Sequence, residues 1–211
     1  MNSDKNPIPA QMGILFLVML FAAFTAGLIE GEVQQLLSPW ISSPVHESNL
    51  STAELSETIL QPSDLPGNYT IVEREVRDAS DVSAIARSLG WKRGFIIRYQ
   101  LSGSTAYCAP SVQQVISVYP PENMTLALPH PQYHKRMALE NNESVLVEEL
   151  PDPVIGDAST ATKITQKEYA CSACLIDFTK NDVYSQIMVY GPAPDCESAK
   201  KLAERAAAKI N

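Results

Sequence analysis

The chain has 211 residues and a formal net charge of −8. Its hydrophobic content of 45% is enough to build the core of one globular domain. The acidic balance excludes nucleic-acid binding through a basic surface, and it excludes attraction of the domain itself to anionic lipid head groups.

The first predicted element is an uncharged, almost continuously apolar segment at residues 8–29. With a rise of about 1.5 Å per residue, a helix of this length crosses about 30 Å of hydrocarbon. Lys5 precedes the segment, and the next basic residue after it is Arg74. The positive-inside rule therefore predicts a cytoplasmic tail at 1–7 and a domain outside the membrane.

A cleaved signal peptide is the alternative interpretation of the same segment. The residues Ala23-Phe24-Thr25 form a passable cleavage site, but the apolar run continues through Ile29. The longer run favours a retained signal anchor. Both interpretations export the domain that follows.

Residues 30–61 are polar and broken by two Ser-Pro pairs, which predicts a juxtamembrane linker. Within it, a capping box at Ser51-Thr52-Ala53-Glu54 predicts the start of a short helix. The domain proper is predicted at 62–211.

Hydrophobic periodicity defines the elements of that domain. Strands are predicted at 69–76, 94–101, 112–119, 145–150, 160–167, 169–178 and 182–190, and helices at 78–89 and 134–140. A last helix begins after Asp195 and carries one apolar stripe, formed by Ala199, Leu202, Ala203, Ala206 and Ile210. The predicted fold class is α+β, an antiparallel sheet of five to seven strands with packed helices.

The four cysteines are Cys108, Cys171, Cys174 and Cys196. An even count in an exported domain predicts two disulfides, with three possible connectivities. A tight turn at Asn181-Asp182 would bring Cys171 beside the point where the chain leaves for Cys196. The favoured pairs are therefore Cys171–Cys196 and Cys108–Cys174.

Cys171 and Cys174 also form a C-x-x-C motif, which allows a thiol redox pair or a four-cysteine zinc site. A redox pair needs a helix N-terminus, and a zinc loop needs a tight turn between its ligands. The motif lies in a predicted strand, which points residues three apart to opposite faces. Disulfides are therefore favoured, and no metal or cofactor is expected.

Four N-x-S/T sequons supply candidate glycosylation sites at Asn49, Asn68, Asn123 and Asn142. Catalytic signatures are absent, because the sequence has no Walker loop, no G-x-S-x-G and no H-E-x-x-H. The histidines at 46, 130 and 134 are interpreted as surface residues. Four aromatic residues are interpreted as core or as the lining of a binding groove: Trp91, Tyr99, Tyr119 and Tyr190.

Three short pieces resemble a known family. They are the lead-in Gln61-Pro62-Ser63-Asp64-Leu65-Pro66-Gly67, the turn Ile155-Gly156-Asp157-Ala158-Ser159, and the terminal hairpin and helix containing Val189-Tyr190-Gly191-Pro192. Their arrangement resembles PsbP-like α/β-sandwich domains of membrane-anchored prokaryotic surface proteins, archaeal ones included. The resemblance implies this fold and a non-enzymatic accessory or sensing role, and it transfers no functional residue.

The function expected from the sequence is a membrane-anchored, non-catalytic binding or sensing module outside the cytoplasm. Its partners are the membrane, through the N-terminal helix, and an unknown protein or small-molecule ligand. The alternatives are an exported redox protein or enzyme using Cys171 and Cys174, and a structural component of the cell envelope.

Overall fold

A computed structural model describes residues 52–129 and 145–210. In this part of the chain the strands are β1 (Tyr69–Arg77), β2 (Arg93–Leu101), β3 (Ser111–Val118), β4 (Val145–Leu150), β5 (Ala158–Gln166), β6 (Cys171–Lys180) and β7 (Val183–Gly191). The α-helices in it are α1 (Thr52–Thr58), α2 (Ala84–Ser88), α3 (Met124–Ala127) and α4 (Cys196–Lys209).

The strands form one seven-stranded sheet, within the described residues, in the order β1-β2-β3-β7-β6-β5-β4. Each strand is antiparallel to its neighbours. The α+β prediction is confirmed, and the end of every predicted strand lies within two residues of the observed one. The predicted helix at 78–89 is shortened to α2, and the helix at 134–140 lies outside the described residues.

A two-residue turn joins β6 to β7, as one of the two predicted registers required. Lys180 lies opposite Val183, and Asn181 adopts a positive φ of 56°. Asparagine tolerates this left-handed conformation better than most residues. The backbone N–H of Asn181 also donates to the carboxylate of Asp157 at 2.7 Å, which holds the turn in place.

One side of the sheet, here called the helix face, is covered by α1 and α4. Side chains alternate along each strand, so one apolar set from four strands points to this side. It includes Phe95, Ile97, Tyr99, Ile116, Val118, Ile176, Phe178, Val183 and Ile187, all buried. The predicted apolar stripe of α4 packs against it, and all its members are buried.

Helix α4 begins where the sequence predicts. The Asp195 side chain accepts a hydrogen bond from the backbone N–H of Glu197 at 3.1 Å, which satisfies one of the free donors of the first turn. The helix lies against β6 and β7. It therefore covers the hairpin that precedes it in the chain.

Residues 52–61 belong to the folded domain. Leu55, Ile59 and Leu60 are at most 1% exposed and form part of the main core. The hydroxyl of Tyr99 donates to the carbonyl of Leu60 at 2.5 Å, and the backbone N–H of Leu60 donates to the Gln114 side chain at 2.7 Å. The domain therefore begins before residue 62, inside the segment that the sequence analysis placed in the linker.

Within 52–129 and 145–210, the helices are too short or too polar to span a bilayer. The anchor predicted at 8–29 lies outside these residues.

Candidate functional site

Two disulfides join the elements of the domain. Cys108 is bonded to Cys171, with a Cα–Cα distance of 5.9 Å, and Cys174 is bonded to Cys196, with a Cα–Cα distance of 5.3 Å. The prediction that all four cysteines form disulfides is confirmed. The predicted pairs Cys171–Cys196 and Cys108–Cys174 were wrong.

The alternation of side chains along β6 explains the observed pairing. Residues three apart on a strand point to opposite faces. Cys174 points to the helix face, where α4 begins with Cys196, whereas Cys171 points to the other side, where the loop carrying Cys108 lies. The predicted pairing rested on Cys171 lying next to the chain that leaves for α4, and this alternation did not enter the choice of partner.

The other side of the sheet, here called the polar face, is the candidate functional site. Its buried side chains are mostly polar or charged and come from β1, β3, β5 and β6: Arg77, Gln113, Ser117, Thr160, Thr162, Gln166, Asp177 and Thr179. Apolar side chains lie among them, chiefly Ala173, Leu175 and Met188. A face of this composition combines apolar contact area with a few placed polar groups, as ligand sites do.

A buried carboxylate lies near the centre of the polar face. Asp177 has no exposed surface. Its Oδ1 accepts a hydrogen bond from the Tyr184 hydroxyl at 2.5 Å and another from Gln186 Nε2 at 2.8 Å. Buried carboxylates need such donors, because removal from water disfavours their charge. Strand pairing fixes the arrangement, since Asp177 lies opposite Gln186 on one side and Thr160 on the other.

Beside Asp177, three side chains of β5 form what we call the polar row: Thr160, Thr162 and Gln166. They are 9%, 0% and 7% exposed. Within the described parts of the chain, Thr160 Oγ1, Thr162 Oγ1 and Gln166 Oε1 are buried and have no hydrogen-bond partner. Unsatisfied buried polar atoms are rare in folded proteins and each calls for an explanation.

Three tyrosines lie at one end of the polar face, near the Cys108–Cys171 bond. The rings of Tyr107 and Tyr169 have centroids 4.6 Å apart. Tyr190 lies on the polar face opposite Ala173. Burial, and then the neighbouring Tyr107, raise the pKa of Tyr190 to about 12, so its hydroxyl stays a hydrogen-bond donor at physiological pH.

The aromatic residues singled out from the sequence do not form one groove. Tyr99 is fully buried in the main core, and Tyr119 packs with Leu89 and Met124 in a second cluster that Trp91 flanks. Tyr190 lies on the polar face, and Tyr119 reaches it as well, through a hydrogen bond between its hydroxyl and the Ser117 side chain.

The polar face was not predicted from the sequence. One signal was available, because Asp177 interrupts an otherwise apolar strand between Ile176 and Phe178. A charged residue inside a run that predicts a fully buried strand marks a position with a special environment. The threonines gave no such signal, since threonine is common in strands.

The predicted glycosylation sites differ in their surroundings. Asn68 is exposed, immediately before β1. Asn123 is partly buried, and its Nδ2 donates to the carbonyl of Leu89 at 3.0 Å, so the atom that would carry a glycan is engaged. Asn49 and Asn142 lie outside the described residues, as do the three histidines. Among the residues described, there is no group of three or more His, Cys, Asp or Glu side chains that would hold a metal.

Comparison with known proteins supports the fold. No protein-family model matches the sequence. No curated protein matches it significantly. Among solved structures, the chain is similar to the extracellular domain of PknH from Mycobacterium tuberculosis, with a TM-score of 0.54 and 11% sequence identity. The similarity covers 76% of this chain and 96% of the PknH domain.

Proposed function

We propose that this chain is a non-catalytic binding or sensing domain, held outside the cytoplasmic membrane by the helix predicted at 8–29. The observation that carries the binding function is the polar row on β5. Three buried polar side-chain atoms on one face of one strand lack partners in the described structure, while an apolar cluster lies beside them. Such an arrangement is costly for stability and is useful when a ligand supplies the missing hydrogen bonds.

Two observations support the location outside the cytoplasm. The fold is similar to that of a domain described as extracellular. All four cysteines are joined in disulfides, and such bonds persist in oxidising compartments. The positive-inside asymmetry of the sequence around 8–29 gives the orientation. A kinship with PsbP-like domains remains a prediction from the short turn motifs.

The disulfides also argue for the non-catalytic interpretation over the redox one. Cys171 and Cys174 are each bonded to a different cysteine, and both are fully buried. Thiol–disulfide exchange needs an accessible sulfur and a nucleophilic thiolate. A redox cycle through the C-x-x-C motif would have to open two buried bonds that hold the sheet to α4 and to the β2–β3 loop.

The location is tested with the full-length chain in right-side-out spheroplasts of a bacterial host. Added protease should remove the domain without lysis, and alkylation before reduction should label none of its four cysteines. A domain that is digested only after lysis would contradict the proposal, as would free Cys171 and Cys174. A lysed sample is the control for protease activity.

The binding function is tested on the purified full-length chain in detergent, against a defined library of sugars, amino acids, nucleotides and peptides. A ligand of the native state raises Tm in proportion to the logarithm of its concentration above Kd. At least one compound should give a saturable rise. If none does, the structural cell-envelope alternative is favoured instead.

A further inference from the structure

We infer that the end of the polar face near the Cys108–Cys171 bond binds an extended, proline-rich peptide. This end is formed by Tyr107, Tyr169 and Tyr190, and we call it the tyrosine surface. The inference rests on the proposed binding function, to which it adds the class of partner. It does not use the buried polar row.

Three separate segments bring the tyrosines together. Tyr107 lies in the loop between β2 and β3, Tyr169 ends the short 3-10 helix before β6, and Tyr190 belongs to β7. The ring centroids of Tyr107 and Tyr169 are 4.6 Å apart, and the rings are tilted by 36°. Tyrosine rings supply a large contact area and lose little conformational entropy on binding. Their convergence therefore suits recognition of a partner.

Solvent reaches the tyrosine surface, unlike the polar row. Tyr169 is 39% exposed, and Tyr107 and Tyr190 are partly exposed. In the loop that carries Tyr107, Thr105 and Ala106 are exposed as well. A partner can therefore contact the rings without a change in the fold, and a peptide that lies across exposed rings needs no enclosed cavity.

A disulfide and a constrained backbone hold Tyr107 and Tyr169 in place. Cys108 follows Tyr107 directly, and its bonded partner Cys171 comes two residues after Tyr169. Between Tyr169 and Cys171, Ala170 adopts a left-handed φ of 51°, which is uncommon for a residue other than glycine. Backbone strain of this kind clusters at binding sites. A surface that is rigid before binding loses less entropy when the partner is bound.

The chemistry of the rings fits a peptide backbone that offers carbonyl groups and few N–H groups. Burial raises the pKa of Tyr107, and the neighbouring Tyr169 raises it further, so the Tyr107 hydroxyl stays protonated at physiological pH. Protonated hydroxyls donate hydrogen bonds. A polyproline II segment has no internal hydrogen bonds, so its carbonyl groups are free to accept them. Its proline side chains pack on aromatic rings.

Other modes of peptide recognition do not fit this position. Strand addition needs a free sheet edge, but the edges of the described sheet are β1 and β4, whereas the tyrosine surface lies at the interior strands β6 and β7. A phosphorylated or acidic peptide needs a cluster of arginines. The residues before Tyr169 are Lys167 and Glu168, of opposite charge, and Arg98 of the same face is bridged to Glu73 at 3.1 Å.

The test uses the full-length chain in detergent and a fluorescein-labelled decaproline peptide, which adopts the polyproline II conformation. A labelled Gly-Ser decapeptide is the control peptide. Fluorescence anisotropy measures both affinities. Decaproline should bind saturably, and at least about tenfold more tightly than the Gly-Ser peptide, because a flexible chain loses more entropy when it is ordered.

Two variants assign the binding to Tyr169. Tyr169→Ala removes the most exposed of the three rings and should weaken decaproline binding at least about tenfold, as truncation of an interface tyrosine does. Tyr169→Phe keeps the ring and removes the hydroxyl, so it should weaken binding about threefold. The control is Val154→Ala, because Val154 is fully exposed in the turn before β5, at the other end of the sheet. It should leave the affinity unchanged.

The stability of the variants is measured alongside. Because Tyr169 is exposed, Tyr169→Ala should change Tm by less than about 2 °C. If the change is larger, Tyr169→Phe decides, since it retains the packing of the ring.

The remaining outcomes contradict the inference in distinguishable ways. Equal binding of the two peptides would show that proline is not recognised. Decaproline binding that ignores both Tyr169 variants would place the site elsewhere. If decaproline does not bind at all, the inference fails, and the compound library described above decides separately on the proposed function. A saturable ligand found there would retain the binding function without this partner.

Discussion

The two faces of the sheet are built by the same strands, yet they differ in how completely their buried polar groups are hydrogen-bonded. On the helix face, Gln114 accepts from the Leu60 backbone at 2.7 Å and donates to Ser185 at 3.4 Å. On the polar face, the threonines of the polar row have no such partners in the described structure. The hydrogen-bonded polar groups of the helix face therefore stabilise the domain. The unpaired threonine hydroxyls of the polar face lower its stability.

This difference has a physical basis in the local geometry. Successive side chains of a strand point to opposite faces of the sheet. One strand can therefore pack against the core with one face and present polar side chains on the other. In β6, Ile176 and Phe178 enter the main core, while Asp177 between them accepts hydrogen bonds from Tyr184 and Gln186 on the other side. A shift of the register by one residue would exchange the two functions.

The largest expected effect concerns the core of the helix face. Phe178 is fully buried there. Phe178→Ala should destabilise the domain by about 3–5 kcal/mol, because it removes apolar contact and leaves a cavity. Leu146→Ala is the matched control, since Leu146 is 50% exposed at the edge strand β4, and it should cost less than about 1 kcal/mol. Chemical denaturation measures both, and equal losses would refute the division between core and edge.

The second largest effect is expected for the disulfides. One of them lies on each face of the sheet. Cys108–Cys171 closes a loop of 63 residues and Cys174–Cys196 a loop of 22. Loop-closure entropy predicts that replacing the first pair by serine costs about 4 kcal/mol and the second about 3 kcal/mol. Non-reducing peptide mapping of the wild type checks the pairing. Recovery of a peptide joining Cys171 to Cys196 would restore the pairs predicted from the sequence.

The sequence predicts those parts of the fold that are determined by the residue pattern within one segment. It does not predict the parts that depend on contacts between distant segments. The strands and the α4 stripe were predicted because periodicity within a segment determines which side chains can be buried together. The burial of Leu55 and Ile59 was not predicted, because it depends on the docking of α1 against β2 and α4. The polar row was missed for the same reason. A threonine in a strand becomes informative only when its environment is known.

A pH-dependent ion pair joins the segment before β1 to the end of α4, on the helix face. Lys209 Nζ lies 2.5 Å from Asp64 Oδ2. Burial raises the pKa of Asp64. The hydrogen bonds from Lys209 and the Gln61 backbone lower it, as do the charges of Lys209 and Arg205. The lowering effects are larger together, so the pKa lies below its ordinary value of 3.8. The contact therefore adds stability above about pH 4 and loses it as the pH falls through the lowered pKa.

Asp64→Asn measures this contribution. It should destabilise the domain at pH 7 by about 0.5–1 kcal/mol, the range of partly exposed ion pairs. The difference in Tm between the variant and the wild type should shrink below pH 4, where the wild-type carboxylate becomes protonated. Asp152→Asn is the control, because Asp152 is exposed and lies in the turn after β4. A difference in Tm that stays constant from pH 7 to pH 3 would contradict the assignment.

The last comparison concerns two polar groups that lie outside both faces, and one of them, Asn68, has the smallest expected effect. Asn123 bonds to the carbonyl of Leu89, so Asn123→Gln should cost about 1 kcal/mol. Asn68 is exposed, and Asn68→Gln should change stability by less than about 0.5 kcal/mol. Asn68 and Asn123 also differ as candidate glycosylation sites. An asparagine can accept a glycan without loss of a hydrogen bond of the fold only if its Nδ2 faces water. In a glycosylating host, mass spectrometry should find the added mass at Asn68, and a glycan at Asn123 would show that its bond to Leu89 forms later than modification.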